Sequence, residues 1–405
     1  MIQIKDICQL GRGRVINQNE LYTHPGEYPV YSSQSTDGGA FGYLDTFDFE
    51  GEYVTWTTDG AYAGTVFHRS GRFNCTNVCG TLKAKANEIC MKYIAYALSS
   101  RTKKHVSYVG NPKLMNNVMA NIVIPFPPFL EQRRIAEILD IIDEAIQKTE
   151  ALISKLKAMK QGLLHDLLTR GLDKNGKLRD PKAHPEQFKD SPLGRIPREW
   201  NVVSIGEIAS HVGSGLTPRG GSEVYKTSGV IFIRSQNVTF KGLKFEDIAF
   251  IDFKTHEQMQ RSEVFAHDVL INITGASIGR CCPLPKGLGP TNVNQHVCAI
   301  RLPAPRRKDA FYLSAVLASH IGQHQIDVLN AGGNREGLNY QQLRSFVIPW
   351  PEKDERTKAA NIIAAHDARI RTEEQYRDKL KLQKKGLMHD LLTGKVRVNT
   401  EEVDA

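Results

Sequence analysis

Gly162-Leu163-Leu164-His165-Asp166-Leu167-Leu168-Thr169 is answered, 224 residues later, by Gly386-Leu387-Met388-His389-Asp390-Leu391-Leu392-Thr393. The two phrases close a longer repeat. Residues 124–169 align with residues 348–393 without a gap, and 20 of the 46 aligned positions are identical. Each copy opens on the same pattern, Ile124-Pro125-Phe126-Pro127 and Ile348-Pro349-Trp350-Pro351. Agreement at one fixed offset over this length marks an internal duplication.

Both copies are predicted to be long helices. Their prolines come first, where an extended approach is favoured and a helix is not yet running. Acidic residues follow (Glu131; Asp354 and Glu355) and Lys and Arg accumulate later, as the helix dipole prefers. In the first copy Ile135, Ile138, Ile142, Ala145, Thr149, Leu152, Leu156, Met159 and Leu163 alternate three and four apart, the a/d seam of a coiled coil. Leu139, Ile146 and Ile153 widen that stripe. The second copy places Ile362, Ile370, Tyr376, Leu380 and Leu387 on the matching face together with His366, Glu373 and Gln383, so its seam is less apolar. His366 reads as a register-setting seam residue. Gly171 and Gly394 suit helix stops.

A globular segment precedes each helix. The expected division is 1–128 globule, 129–171 helix, 172–197 linker, 198–350 globule, 351–396 helix and 397–405 tail. The linker is rich in Pro, Gly, Asp and Lys and shows no periodicity. The globules look distantly related. Tyr53-Val54-Thr55-Trp56-Thr57-Thr58-Asp59-Gly60 with Gly64 resembles Val269-Leu270-Ile271-Asn272-Ile273-Thr274-Gly275 with Gly279, and Val78-Cys79 resembles Val297-Cys298. Short strands, Gly turns and helices around residues 89–100 and 310–325 indicate mixed α/β domains, an α+β fold class.

Two similar units in one chain tend to pair about a pseudo-two-fold axis. If each helix packs on its copy across that axis, the helices form an antiparallel coiled coil and the globules sit at its two ends. A helix of some forty residues is roughly 60 Å long. Two readers so spaced suit two short DNA sites about one turn apart, roughly 34–36 Å.

The chain has 405 residues, 40% hydrophobic and 24% charged, enough for two or three domains of ordinary soluble composition. Its net charge of +9 favours a polyanionic partner. The start, Met1-Ile2-Gln3-Ile4-Lys5-Asp6, lacks the pattern of a signal peptide, and no apolar run approaches a membrane span. Cys8, Cys75, Cys79, Cys90, Cys281, Cys282 and Cys298 include no C-x-x-C pair, which suits reduced cysteines in a cytoplasmic protein without a zinc site. There is no phosphate loop G-x-x-x-x-G-K-[ST] and no Asn-Pro-Pro-aromatic motif; Gly110-Asn111-Pro112-Lys113 is the nearest and fails. Gly11-Arg12-Gly13 and Gly213-Ser214-Gly215 are too short for a nucleotide site and read as loop glycines.

The residues quoted above, with the linker phrase Ser191-Pro192-Leu193-Gly194-Arg195-Ile196-Pro197-Arg198-Glu199-Trp200, resemble the specificity subunits of type I restriction-modification systems over nearly the whole length. The first helix exit, residues 160–171, is similar to that family's central repeat. The resemblance implies two target-recognition domains that read the halves of a split, asymmetric sequence in double-stranded DNA. It implies helices that set the gap and dock two modification (methyltransferase) subunits. S-adenosylmethionine, ATP and Mg would belong to those subunits and to restriction (motor-nuclease) subunits. This chain itself would carry no active site, bind no cofactor or metal, and touch no membrane.

Charge does not mark the reading face. Residues 155–198 carry a balance of +6 and residues 377–397 a balance of +5, leaving −2 for the remainder. The helix-end charge could follow DNA phosphates or simply answer the helix dipole. Base reading is therefore sought in loops mixing Arg, Asn, Gln, Ser and Tyr, which match base edges. In the first globule the candidates are Arg12, Arg14, Ser33, Gln34, Asp59, Tyr62, Lys103, Lys104, Asn111 and Lys113. In the second they are Ser214, Thr217, Arg219, Arg234, Gln236, Asn237, Ser277, Arg280, Asn334, Arg335 and Tyr340. Two other readings are a coiled-coil scaffold without DNA affinity and the recognition part of a fused restriction-methylation enzyme. The second would need several hundred further residues and the missing methylation motif.

Overall fold

The structure, a computed structural model, describes residues 1–34, 36–304, 306–330 and 337–399. The chain divides into two units, Met1–Leu152 with Glu373–Ala405, and Ile153–Thr372.

In the first unit four antiparallel strands lie side by side in the order Cys8–Arg12, Cys79–Ala84, Tyr53–Thr57, Val66–Arg69. In a second sheet Tyr28–Tyr31 runs antiparallel to Ala40–Leu44 and parallel to Arg72–Cys75. The second unit repeats both patterns. His211–Ser214, Val297–Arg301, Val269–Asn272 and Cys281–Pro283 form the antiparallel sheet. Val230–Ile233 runs antiparallel to Ala249–Ile251 and parallel to Thr291–Val293. The duplication thus includes the globules.

The ladders fix which residues correspond. Thr57 stands opposite Cys79 and Asn272 opposite Val297. Gly64 N donates to Thr57 O at 2.8 Å and Gly279 N to Asn272 O at 2.9 Å. Cys79 therefore corresponds to Val297, and the Val-Cys match made from sequence is off by one. Val78 lies in the turn before its strand, whereas Val297 is the first residue of its own. Gly13 and Gly215 also correspond: their amides donate to Cys79 O and Val297 O at 3.0 and 3.1 Å. A Cβ there would lie 2.2 Å from Cys75 O and 1.7 Å from Val293 O, so close backbone approach demands glycine at both.

Each core is built on its sheet. Trp56 is fully buried and donates through Nε1 to Leu114 O at 2.9 Å; truncating such a ring costs about 3–5 kcal/mol. Gly80 stands across the ladder, where a Cβ would lie 2.2 Å from that ring. Tyr93 and Tyr312 are buried on helices Met91–Ser99 and Arg307–Ala318, and donate to Pro125 O at 2.9 Å and Pro349 O at 3.2 Å, the matching prolines of the repeat. Burial pushes the Tyr93 phenol up to about 12, which keeps it a donor. The helix expected over 310–325 is instead two helices. Arg307–Ala318 stops at Ser319, whose backbone is extended and whose hydroxyl accepts from Ile321 N at 3.2 Å before His320–Asn330 begins.

The repeat helices are Phe129–Thr169 and Lys353–Thr393. Both end before a glycine with positive φ, Gly171 at 63° and Gly394 at 74°. In the first unit Ile142 and Ile146 cluster with Leu380, and Asp143 and Glu150 meet Lys384 and Lys381 at 2.5 and 2.7 Å. Numbers rise on one helix as they fall on the other, so these segments are antiparallel. In the second unit Leu164, Leu167 and Leu168 share a core with Ala359 and Ile363, and Lys160 meets Asp367 at 2.6 Å.

The seam differs from the sequence expectation by one residue in alternate positions. Ile135, Ile142 and Thr149 are buried and Leu156 half-buried as expected, but Leu139, Ile146 and Ile153 carry the intervening burial. Ile138 is half-buried, Leu152 is 36% exposed and Met159 51%. On the second helix Ile370 and Leu380 are buried, Ile363 takes the place expected for Ile362, and Tyr376 is exposed. Adjacent apolar residues compete for each inward position, and helix rotation decides between them.

Residues 172–197, read as a linker, are ordered within the second unit. Phe188–Ser191 pairs with Gly194–Pro197, and Phe188, Ile196 and Trp200 are buried. Among the described residues no helix is long and apolar enough to cross a membrane.

Candidate nucleic-acid interface

In the first unit the sheet edge gathers three loops. Gly60 N donates to Pro112 O at 3.0 Å and Leu114 N to Thr58 O at 2.8 Å, sewing loop 57–62 to loop 107–113. Arg12 donates to Asn77 O at 2.5 Å and lies 3.3 Å from Asp59, which is also 3.9 Å from the Lys113 ammonium. Asp59, an anion, orients these cations rather than meeting phosphate itself. Tyr62 and Asn111 are exposed on these loops, and Lys104 is exposed on the separate short turn Thr102–His105. Ser33 and Gln34 are half-buried, and Gln34 donates to Ala40 O. Ser32 accepts from Thr76, joining that loop to the turn Arg12 holds.

Other candidates serve the scaffold. Arg14 is held by Asp48 at 2.9 Å and Glu20 at 2.6 Å. Lys103 donates to Ala63 O at 2.9 Å.

The second unit assembles the corresponding edge. Leu338 N donates to Ile273 O at 2.8 Å, and Thr274 bridges to Gly337. Ser214 and Tyr340 share a hydrogen bond. Ser277 accepts from Asn272 at 3.1 Å, and Asn272 also donates to Ser235 O at 2.8 Å. Thr217, Arg219, Gln236 and Arg280 are exposed. Arg234 donates to Asp247 O at 2.5 Å. Asn237 is fully buried and donates to Lys244 O at 3.0 Å, so it cannot reach a base. Asn334 and Arg335 lie outside the described residues.

Residues 1–158 and 197–382 match the family of the type I restriction modification DNA specificity domain. The chain belongs to that family. It is 50% identical over 139 residues to a Mycoplasma pneumoniae protein described as the N-terminus of a type I specificity subunit, covering 34% of this chain and 74% of that one. It is 46% identical over 138 residues to the specificity subunit of the M. pneumoniae type I restriction enzyme MpnII, covering 34% of this chain but 42% of that one. Its fold resembles the crystal structure of the S subunit of a type I restriction-modification system from M. genitalium, with a TM-score of 0.64 at 17% identity over 96% and 95% of the two chains.

The two specificity domains carry further edge residues that sequence reasoning passed over. The turn 76–78 of the first domain corresponds to 294–296 of the second. It presents Asn77 in one and exposed Gln295 in the other, with His296 2.6 Å from the Thr274 hydroxyl. The signal was present as Asn294-Gln295-His296, but it reads as strand until the ladders place it in a turn. Among the described residues no three His, Cys, Asp or Glu side chains converge as metal ligands would.

Proposed function

We propose that this specificity subunit reads a bipartite, asymmetric sequence in duplex DNA, one half with each specificity domain, and performs no chemistry. One observation carries the reading: the same backbone edge occurs twice with different side chains at matched positions. Arg12 answers to Ser214, Asp59 to Thr274, Lys113 to Gly337, Asn77 to Gln295 and Asn116 to Tyr340, as the ladder partners Arg12–Gly80 and Ser214–Cys298 and the bridges Asp59–Lys113 and Thr274–Gly337 define. A scaffold held constant while its reading edge changes is what two different half-sites require.

In this reading the repeat helices form one antiparallel coiled coil that sets the gap between half-sites and docks two modification subunits. The pairing of Asp143 with Lys384 and of Lys160 with Asp367 supports it. S-adenosylmethionine, ATP and Mg belong to the modification and restriction subunits, and the assembly works in the cytoplasm. The test is duplex binding by the full chain with its modification partner. Retention of one motif over scrambled DNA, weakening steeply with salt, is the expected result. Equal retention of both duplexes would refute it.

A further inference from the structure

Among the described residues, the second specificity domain carries an element that the first does not. Between Tyr28–Tyr31 and its antiparallel neighbour Ala40–Leu44 the first domain has a short connection with one turn, Thr36–Gly39. At the corresponding place the second domain inserts a hairpin, Val238–Thr239 paired with Gly242–Leu243, before Ala249–Ile251. The turn is Phe240-Lys241, closed by Gly242 at φ 119°.

The hairpin is fixed at its base. Val238 is fully buried, and Asn237 beneath it donates to Lys244 O while Lys244 N returns a bond to Asn237 O at 2.7 Å. Its outer part is the opposite. Phe240 is 48% exposed and Phe245 49%. Leaving such rings half in water forgoes roughly 1 kcal/mol each of burial, and the first domain folds without them. With Lys241, Lys244, Glu246 and Arg280 these rings line a cavity of about 620 Å³. Neither Lys244 nor Arg280 has a side-chain partner among the described residues, and both stand on a domain that is otherwise near neutral. The hairpin also adjoins the reading edge, because Arg280 follows Ser277 and loop 234–237 leads directly into it.

We propose that this hairpin is a DNA-contacting wedge: Phe240 enters a groove beside the half-site read by the second domain, and Lys244 and Arg280 hold the flanking phosphates. The occupant that matches an apolar tip ringed by cations is duplex DNA, where phenylalanine wedges lodge at base steps and lysines release counterions. The inference rests on the DNA-reading function above. It adds a contact that only one half-site receives.

The test uses the full chain assembled with its modification partner, a duplex carrying the motif it methylates, and a scrambled duplex. Phe240→Ala should weaken motif binding at least tenfold. Lys244→Ala with Arg280→Ala should lower the slope of log affinity against log salt by about 2. Hydroxyl-radical protection should fade at one half-site and persist at the other. Motif binding within twofold of wild type, with an unchanged salt slope, would overturn the wedge. So would loss of the modification partner with unchanged DNA affinity of the assembly that remains, which would make the hairpin a protein contact. A wild-type assembly with no preference for the motif would instead refute the DNA-reading function itself.

Discussion

The Arg179 guanidinium grips the Glu355 carboxylate twice, Nη1 to Oε1 at 2.6 Å and Nη2 to Oε2 at 3.3 Å. Leu172 N and Trp200 Nε1 complete the shell at 2.7 and 3.1 Å. The same position of the repeat, Glu131, receives Arg397 at 2.7 and 2.6 Å in the first unit. Each unit thus fastens the start of one repeat helix to the residues that follow the other.

Arg179 and Glu355 have side chains only 8% and 14% exposed. Removing either partner strands a buried charge, and Arg179→Ala should lower stability by about 3 kcal/mol. Arg179→Met with Glu355→Gln should recover part of that loss, because no buried charge is left and the amide oxygen still accepts from Leu172 N. Denaturant titration of the four-member cycle measures the coupling. The loss from Arg397→Ala should be smaller, because Arg397 is itself 68% exposed and water can replace it at Glu131.

Gly13 and Gly215 are closed to any side chain by the carbonyls of Cys75 and Val293. Gly215→Ala should destabilise the second unit by more than about 2 kcal/mol, because backbone must move. Gly162, with open space around it, should accept alanine with unchanged or raised stability. Thermal melts of the three alanine variants, Gly13→Ala included, check this ordering.

Burial pushes the His68 ring below its usual 6.5, while Glu52 at 3.9 Å pulls weakly the other way. As pH falls below 6.5 the unfolded chain takes up this proton before the folded one. Stability therefore declines as pH falls from 6.5 through the lowered folded value, and His68 contributes no slope well above 6.5. Between pH 7.5 and 5.5 the wild-type melting temperature should fall further than that of His68→Gln.

Deleting seven residues from each repeat helix at facing positions shortens each by about 10 Å while keeping the seam in phase. The gap between half-sites should shrink by about 3 base pairs at a rise of ~3.4 Å per pair, with the recognised bases unchanged. Sequencing of methylated DNA from cells carrying the variant reads both quantities. Changed bases with an unchanged gap would contradict the spacer role.

The duplication was plain in the sequence because the helices kept their residues: the same threonine closes both, Thr169 on His165 O and Thr393 on His389 O. The globules kept backbone geometry instead, so Thr57 and Asn272 correspond without resembling one another. The seam was misplaced where two apolar neighbours compete, as Leu152 and Ile153 do. A count of apolar residues also misses Lys384, which faces inward because Asp143 meets it and the Tyr96 ring lies 5.4 Å from its ammonium. Composition singled out polar loops as candidates but could not tell exposed Gln236 from buried Asn237. The hairpin escaped notice because Phe240 and Phe245 look like core.

The most direct measurement is the map of methylated adenines in cells that express this chain with its modification partner. Two unlike short motifs at a fixed separation, methylated together, are the predicted result. A single contiguous motif, two identical halves, or no motif dependent on this chain would contradict the account.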